Sequence, residues 1–185
     1  MQPVAVYISF ASQDSAYAAA LDKHLSPLKR RRAITVWHRD MMRGGDRLDT
    51  SRARLWNAQL ILLMVTINLE SEMHAEITEA LAQRSRGATV MPILVSPLSF
   101  SYVDYKDLTP VLRNGQPVST WTDQDAAWVE VIKECQVLIE DLFARARTAA
   151  ASSLADSESA RNRSVALQGV AGPASVLAEA GSPVL

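Results

Sequence analysis

An α/β fold, one parallel sheet with helices on both faces, is what this sequence predicts, and three observations predict it. Leu60-Ile61-Leu62-Leu63-Met64-Val65-Thr66 is an unbroken apolar run, the habit of a strand buried on both faces. Segments of strand character alternate with segments of helical spacing along the chain, the pattern of successive strand–helix units. The connections between them are short, as neighbouring units in one sheet require. At 185 residues, 48% of them apolar, a single domain with a substantial core is expected.

Taken in order, Val4–Ser9 is β-branched and apolar and reads as the first strand. Phe10 to Asp14 follows as a loop in which Ser12 or Asp14 is placed to cap a helix. That helix starts at Ser15, carries Tyr17, Ala20, Leu21, Leu25 and Leu28 at helical spacing, and is expected to be ending by Pro27. Lys29 to Arg32 is a basic cluster that reads as a solvated turn. Ala33–Trp37 is a short second strand, and His38 to Asp46 a polar loop holding Gly44 and Gly45. Asp49 to Ala58 has a thin apolar stripe of helical spacing.

After the Leu60–Thr66 strand, Asn68 offers a turn or cap. Ser71 to Leu81 then places Met73, Ile77, Ala80 and Leu81 on one helical side, with a stop at Arg86-Gly87. Thr89–Val95 is a fourth strand, made locally irregular by Pro92. Residues 96–116 are long and mixed and should hold a short helix. Pro117–Trp121 is expected as a brief fifth strand at the sheet edge. Asp123 or Asp125 caps a long helix carrying Trp128, Val131, Ile132, Cys135, Leu138, Ile139, Leu142 and Phe143 on one face. Five parallel strands in this order predict a flavodoxin-like sheet, order 2-1-3-4-5. From about Thr148 the composition turns to Ala, Ser, Gly and Val, so the division expected is 1–147 for the domain and 148–185 for a low-complexity, unordered tail.

Composition removes several functions. The formal net charge is −1, which gives no electrostatic case for nucleic acid or an anionic membrane. Cys135 is the one cysteine, so neither a disulfide framework nor a thiolate metal site is available. His24, His38 and His74 show no ligand spacing, and no metal is expected. Dinucleotide fingerprints, phosphate loops and nucleophile elbows are missing from the sequence. No run reaches transmembrane length and the amino terminus lacks signal-peptide character, so a cytoplasmic protein is expected.

What remains is polar chemistry at the carboxyl ends of the strands, where open α/β sheets bind ligands. Glu76, early in its helix, is the candidate. One ionised carboxylate suits cleavage of a glycosidic bond to a good leaving group, because the sugar becomes cationic as the bond breaks. A pyridinium departs neutral and needs no general acid. The helix start favours ionised Glu76, while Glu72 and Glu79 oppose it. The bland alternative, favoured by spacing alone, is that Glu72, Glu76 and Glu79 form one solvated acidic stripe.

Val6-Tyr7-Ile8-Ser9-Phe10-Ala11-Ser12-Gln13-Asp14 resembles the opening box of TIR (Toll/interleukin-1 receptor) domains of the bacterial type. Trp37 to Gly45, Leu60–Thr66, Glu76 to Leu81, Val90 to Ile93 and Gly115 to Trp121 fit the same family in the same order. The resemblance covers roughly residues 4 to 142. It implies a self-associating domain and, in many bacterial and plant members, hydrolysis or cyclisation of NAD by a glutamate matching Glu76. NAD would be the substrate, with no separate cofactor. Phe10, Ala11 and Ser12 match the segment lining the nucleotide pocket. Trp37 to Gly45, including Asp40 and Gly44, matches a mobile loop that gates the pocket and mediates assembly. Glu72 and Met73 stand where the family commonly has an aromatic residue followed by Cys or Ser, so Glu72 would border the substrate. Leu48 replaces another frequent aromatic. The expected partners are further TIR domains in homotypic assembly, an oligomer or filament, and a sensor protein supplying the trigger. The other class of function is a non-catalytic assembly module.

Overall fold

A computed structural model describes residues 2–47, 49–112 and 115–168. Four parallel strands form its sheet among the described residues: β1 (Val4–Ser9), β2 (Ile34–His38), β3 (Leu60–Val65) and β4 (Thr89–Leu94), in the order β2-β1-β3-β4. β1 pairs with β2 from Val4↔Ile34 to Ile8↔His38 and with β3 from Val6↔Leu60 to Ser9↔Leu63. β3 pairs with β4 from Leu60↔Thr89 to Val65↔Leu94.

The two-residue period of a strand divides the core in two. Val4, Val6, Ile8 and Phe10 face one way with Leu60, Leu62 and Met64. They meet α1 (Ser15–His24), α2 (Ser26–Arg30) and the first part of α6 (Gln124–Gln168) through Leu21, Leu25, Leu28, Trp128, Val131 and Ile139. Tyr7 faces the other way with Ile61, Leu63 and Val65. There it meets α3 (Thr50–Trp56), α4 (Ile67–Glu72) and α5 (His74–Arg84) through Leu55, Leu69, Met73, Ile77 and Ala80. β3 is buried along its whole length, as its unbroken apolar run requires.

Several expectations are revised. The fifth strand does not form: Val118–Thr120 is a 3-10 turn, closed by Thr120 N–H to the Pro117 carbonyl at 3.0 Å and held to the sheet by Ser119 N–H to the Val95 carbonyl at 2.9 Å. Proline lacks the N–H with which Pro117 would open a ladder. A single parallel bridge, Ile93↔Val111, takes the outer side of β4 instead. Pro92 leaves β4 regular, because its carbonyl turns outward to accept from Val111 N–H at 2.9 Å. Its missing N–H therefore faces the sheet edge rather than β3.

α1 has ended at His24, before Pro27, as expected; Pro27 instead sits in the first turn of α2, where a missing N–H costs nothing. The expected helix around Glu76 is two helices, broken at Met73 (φ −113°), and Gly87 (φ +104°) closes the second. Residues 96–116 contain a 3-10 turn, Phe100–Tyr102. Asp123 accepts from Ala126 N–H at 3.1 Å at the start of α6. The chain divides into units 1–143 and 144–185. Residues 148–168, expected to be unordered, are helical as the end of α6; no Gly or Pro interrupts 124–168 and alanines are frequent, which favours helix. Residues 169–185 and Leu48 lie outside the described residues. No helix among the described residues is long and apolar enough to cross a membrane.

Candidate functional site

Glu76 lies in the first turn of α5, which starts just past the carboxyl end of β3. It is three residues from Met73 and four from Ala80, both buried. Residues so spaced share a helix face, so the half-buried Glu76 side chain turns toward the sheet rather than the solvent. The strand supplies its partners. Ser9 Oγ donates to Glu76 Oε1 at 2.5 Å, and the Tyr7 hydroxyl lies near enough to act on the same carboxylate. Tyr7 and Ser9 are two apart on β1, which puts both on the α3/α5 face. The Tyr7 hydroxyl also meets Ser51 Oγ, in the first turn of α3, at 2.8 Å.

Burial drives the Glu76 carboxyl above its ordinary range; the hydrogen bonds from Ser9 and Tyr7, then the Arg39 charge, pull it back, and Glu79 adds to the rise. The amino end of α5 adds a field that favours the anion. Burial, and next the charge of Glu76, also lift the Tyr7 phenol, which therefore keeps its proton as a donor. Arg39, just past β2, sends Nη1 to Met73 Sδ at 3.2 Å. The three glutamates do not form one acidic stripe. Glu79 pairs with Arg52 at 2.8 Å, Glu72 accepts from Gln13 Nε2, and Glu76 turns inward.

The other residues singled out from the sequence are placed less evenly. Phe10 and Ala11 are wholly buried, on opposite sides of the sheet, so at this end of the sheet they present backbone rather than side chains. Phe10 also rests against the His38 ring, centroids 5.6 Å apart. Ser12 is exposed at the head of a 3-10 turn, Ser12–Asp14. The Gln13–Glu72 bond brings that turn to the end of α4. Asp14 does not cap α1 with its side chain. Its carboxylate instead accepts from Thr66 Oγ1 and from Asn68 Nδ2, the latter at 3.0 Å. Trp37 is half-buried and stacks on Tyr7, centroids 5.4 Å apart. It also borders a cavity of about 290 Å³ shared with Thr35 and Arg54. Asp40 is exposed in the turn Arg39–Met41. Gly44 is exposed with open space around it, and Gly45 adopts φ +96°.

Sequence reasoning passed over Tyr7, Ser9, Arg39 and Ser51. The available signal was polarity out of place, since Tyr7 and Ser9 interrupt an otherwise apolar strand at a spacing of two. Among the described residues no cluster of His, Cys, Asp or Glu could hold a metal ion.

A family model described as TIR domain matches residues 6–132. The uncharacterized protein y4lF of Sinorhizobium fredii (strain NBRC 101917 / NGR234) is 29% identical over 135 residues, covering 69% of this chain and 41% of its own length. The chain thus spans about two fifths of that relative.

Proposed function

The chain belongs to the TIR domain family, and from that premise we propose that it cleaves the bond between nicotinamide and ribose in NAD. The products are nicotinamide and ADP-ribose, linear or cyclised. The observation that carries this reading is Glu76, held by Ser9 at 2.5 Å at the head of α5. As the bond stretches, the ribose becomes cationic and the pyridinium leaves as a neutral base, so the chemistry calls for a fixed anion and no acid. Glu76 is that anion. Water then attacks the sugar from the free face and loses a proton to solvent; in cyclisation a nitrogen of the same molecule attacks instead. The segment Trp37 to Gly45 governs access, and Phe10, Ala11 and Ser12 offer backbone and one hydroxyl to the nucleotide. TIR domains generally self-associate, and we take assembly as the activating step, in bacterial antiviral defence or signalling, with a sensor protein as the source of the trigger.

The experiment is direct. Concentrated protein is incubated with NAD and nicotinamide release is followed by chromatography. A Glu76→Ala variant should lose at least ~100-fold in rate, the scale for losing one electrostatic group at a reacting centre. Equal rates in variant and wild type would remove Glu76 from the role.

The Gln13–Glu72 pair favours a second reading. It sets a carboxylate where a base-stacking ring is common in the family, close to where a diphosphate would lie. On that reading the domain is an assembly module that recruits other TIR domains without chemistry. Association with no NAD loss at any protein concentration would support it.

A further inference from the structure

We propose that three hydroxyls, Ser51, Tyr7 and Ser9, hold the Glu76 carboxylate by donated hydrogen bonds and act as positioning residues, which makes the start of α3 part of the site. Ser9 Oγ reaches Glu76 Oε1 at 2.5 Å, and Ser9 is wholly buried, so no water replaces that partner. Tyr7 has one proton. When it goes to Glu76, the Tyr7 oxygen is left to accept, and Ser51 Oγ at 2.8 Å is the donor that fills it. The order of donation is then Ser51 to Tyr7 to Glu76, with Ser9 as an independent second arm.

The two arms differ in rigidity. Tyr7 and Ser9 belong to β1, which is paired on both sides by β2 and β3. Ser51 sits at the amino end of α3, the element that follows the segment from Arg39 to Asp49. The charged groups facing Glu76 are Arg39, beyond β2, and Glu79, on α5. Arg52 of α3 takes up Glu79 at 2.8 Å, and Gln13 takes up Glu72.

For its enzymatic consequence the inference rests on the reading of Glu76 as the reaction's anion; its effect on the carboxylate does not. The test uses the full chain with carbon-13-labelled glutamate. The Glu76 carboxyl signal, assigned by its loss in Glu76→Gln, is titrated with pH by NMR. Ser9→Ala and Tyr7→Phe should each move the titration midpoint upward by about one pH unit, and Ser51→Ala by about half of that. The acid limb of NAD cleavage should move by the same amounts. Circular dichroism checks the fold of each variant. Should Ser9→Ala not fold, Tyr7→Phe and the half-buried Ser51→Ala carry the test. Unmoved midpoints in the folded variants overturn the proposal even if the protein cleaves NAD. Moved midpoints in a protein that leaves NAD intact support it and sink the NAD reading.

Discussion

A carboxyl and a thiol, Glu76 and Cys135, are both moved upward by burial, with different consequences. Glu76 folds with its carboxyl above the unfolded value of 4.5, so the folded state binds the extra proton. Its contribution to stability is fully present below the unfolded value and is lost as pH rises through the folded one. Glu76→Gln keeps an acceptor for Ser9 but cannot ionise. It should therefore melt at the same temperature as wild type near about pH 4 and at a higher one near about pH 8, followed by circular dichroism. Such a gain on removing a group is the mark of a site that holds an ionisable side chain against its preference. Cys135 has no polar partner of that kind. Burial pushes its thiol up to about 12, and it lies wholly buried on the core-facing side of α6. It should resist iodoacetamide in the native protein and react in denaturant, as judged by mass spectrometry.

At the scale of elements, the break between α4 and α5 decides where Glu76 stands. α4 is anchored by Thr66, whose hydroxyl accepts from Leu69 N–H at 3.1 Å and donates to the buried Asp14. One hydroxyl thus caps a helix and satisfies a carboxylate from the turn Ser12–Asp14 that follows β1. Thr66→Val keeps the shape and removes both bonds. It should cost about 1–3 kcal/mol in urea unfolding, the sum of a lost cap and a buried acceptor left short of a donor. α3 and α5 are tied by a separate cluster: Arg52 binds Glu79 and lies 5.7 Å from the Trp56 ring centre, over which Arg86 stacks at 4.2 Å. That cluster holds the helix bearing Ser51 against the helix bearing Glu76.

For the molecule as a whole, both halves of the core lie within residues 1–143, and every residue of the candidate site lies there too. Tyr102, Ile67 and Trp56 remain exposed at 91%, 61% and 41%. If assembly activates the domain, the rate of NAD cleavage per molecule should rise with protein concentration and track the oligomer fraction seen by light scattering. A specific rate that stays flat while the oligomer grows would separate catalysis from association.

The sequence by itself determined the four strands of the sheet and the helical character of what covers it, but not the sheet's outer edge or the helix boundaries. The unbroken apolar run Leu60–Val65 reads as a strand buried on both faces, and the apolar spacing of Leu21, Leu25 and Leu28, or of Ile77 and Ala80, suits helices that cover such a sheet. Glu76 was legible too, because its position early in a helix after that strand is a local property of the chain. Only the tertiary structure decided what surrounds it. Ser9 is 67 residues away in sequence and Tyr7 is 44 from Ser51, and no periodicity encodes which hydroxyl will meet which carboxylate. The same holds at the edge beyond β4. There Val111 gives its N–H to Pro92 on the outer side of β4, while the segment after Pro117 reaches only Val95 past the strand's end, a difference that the apolar character shared by both segments does not reveal.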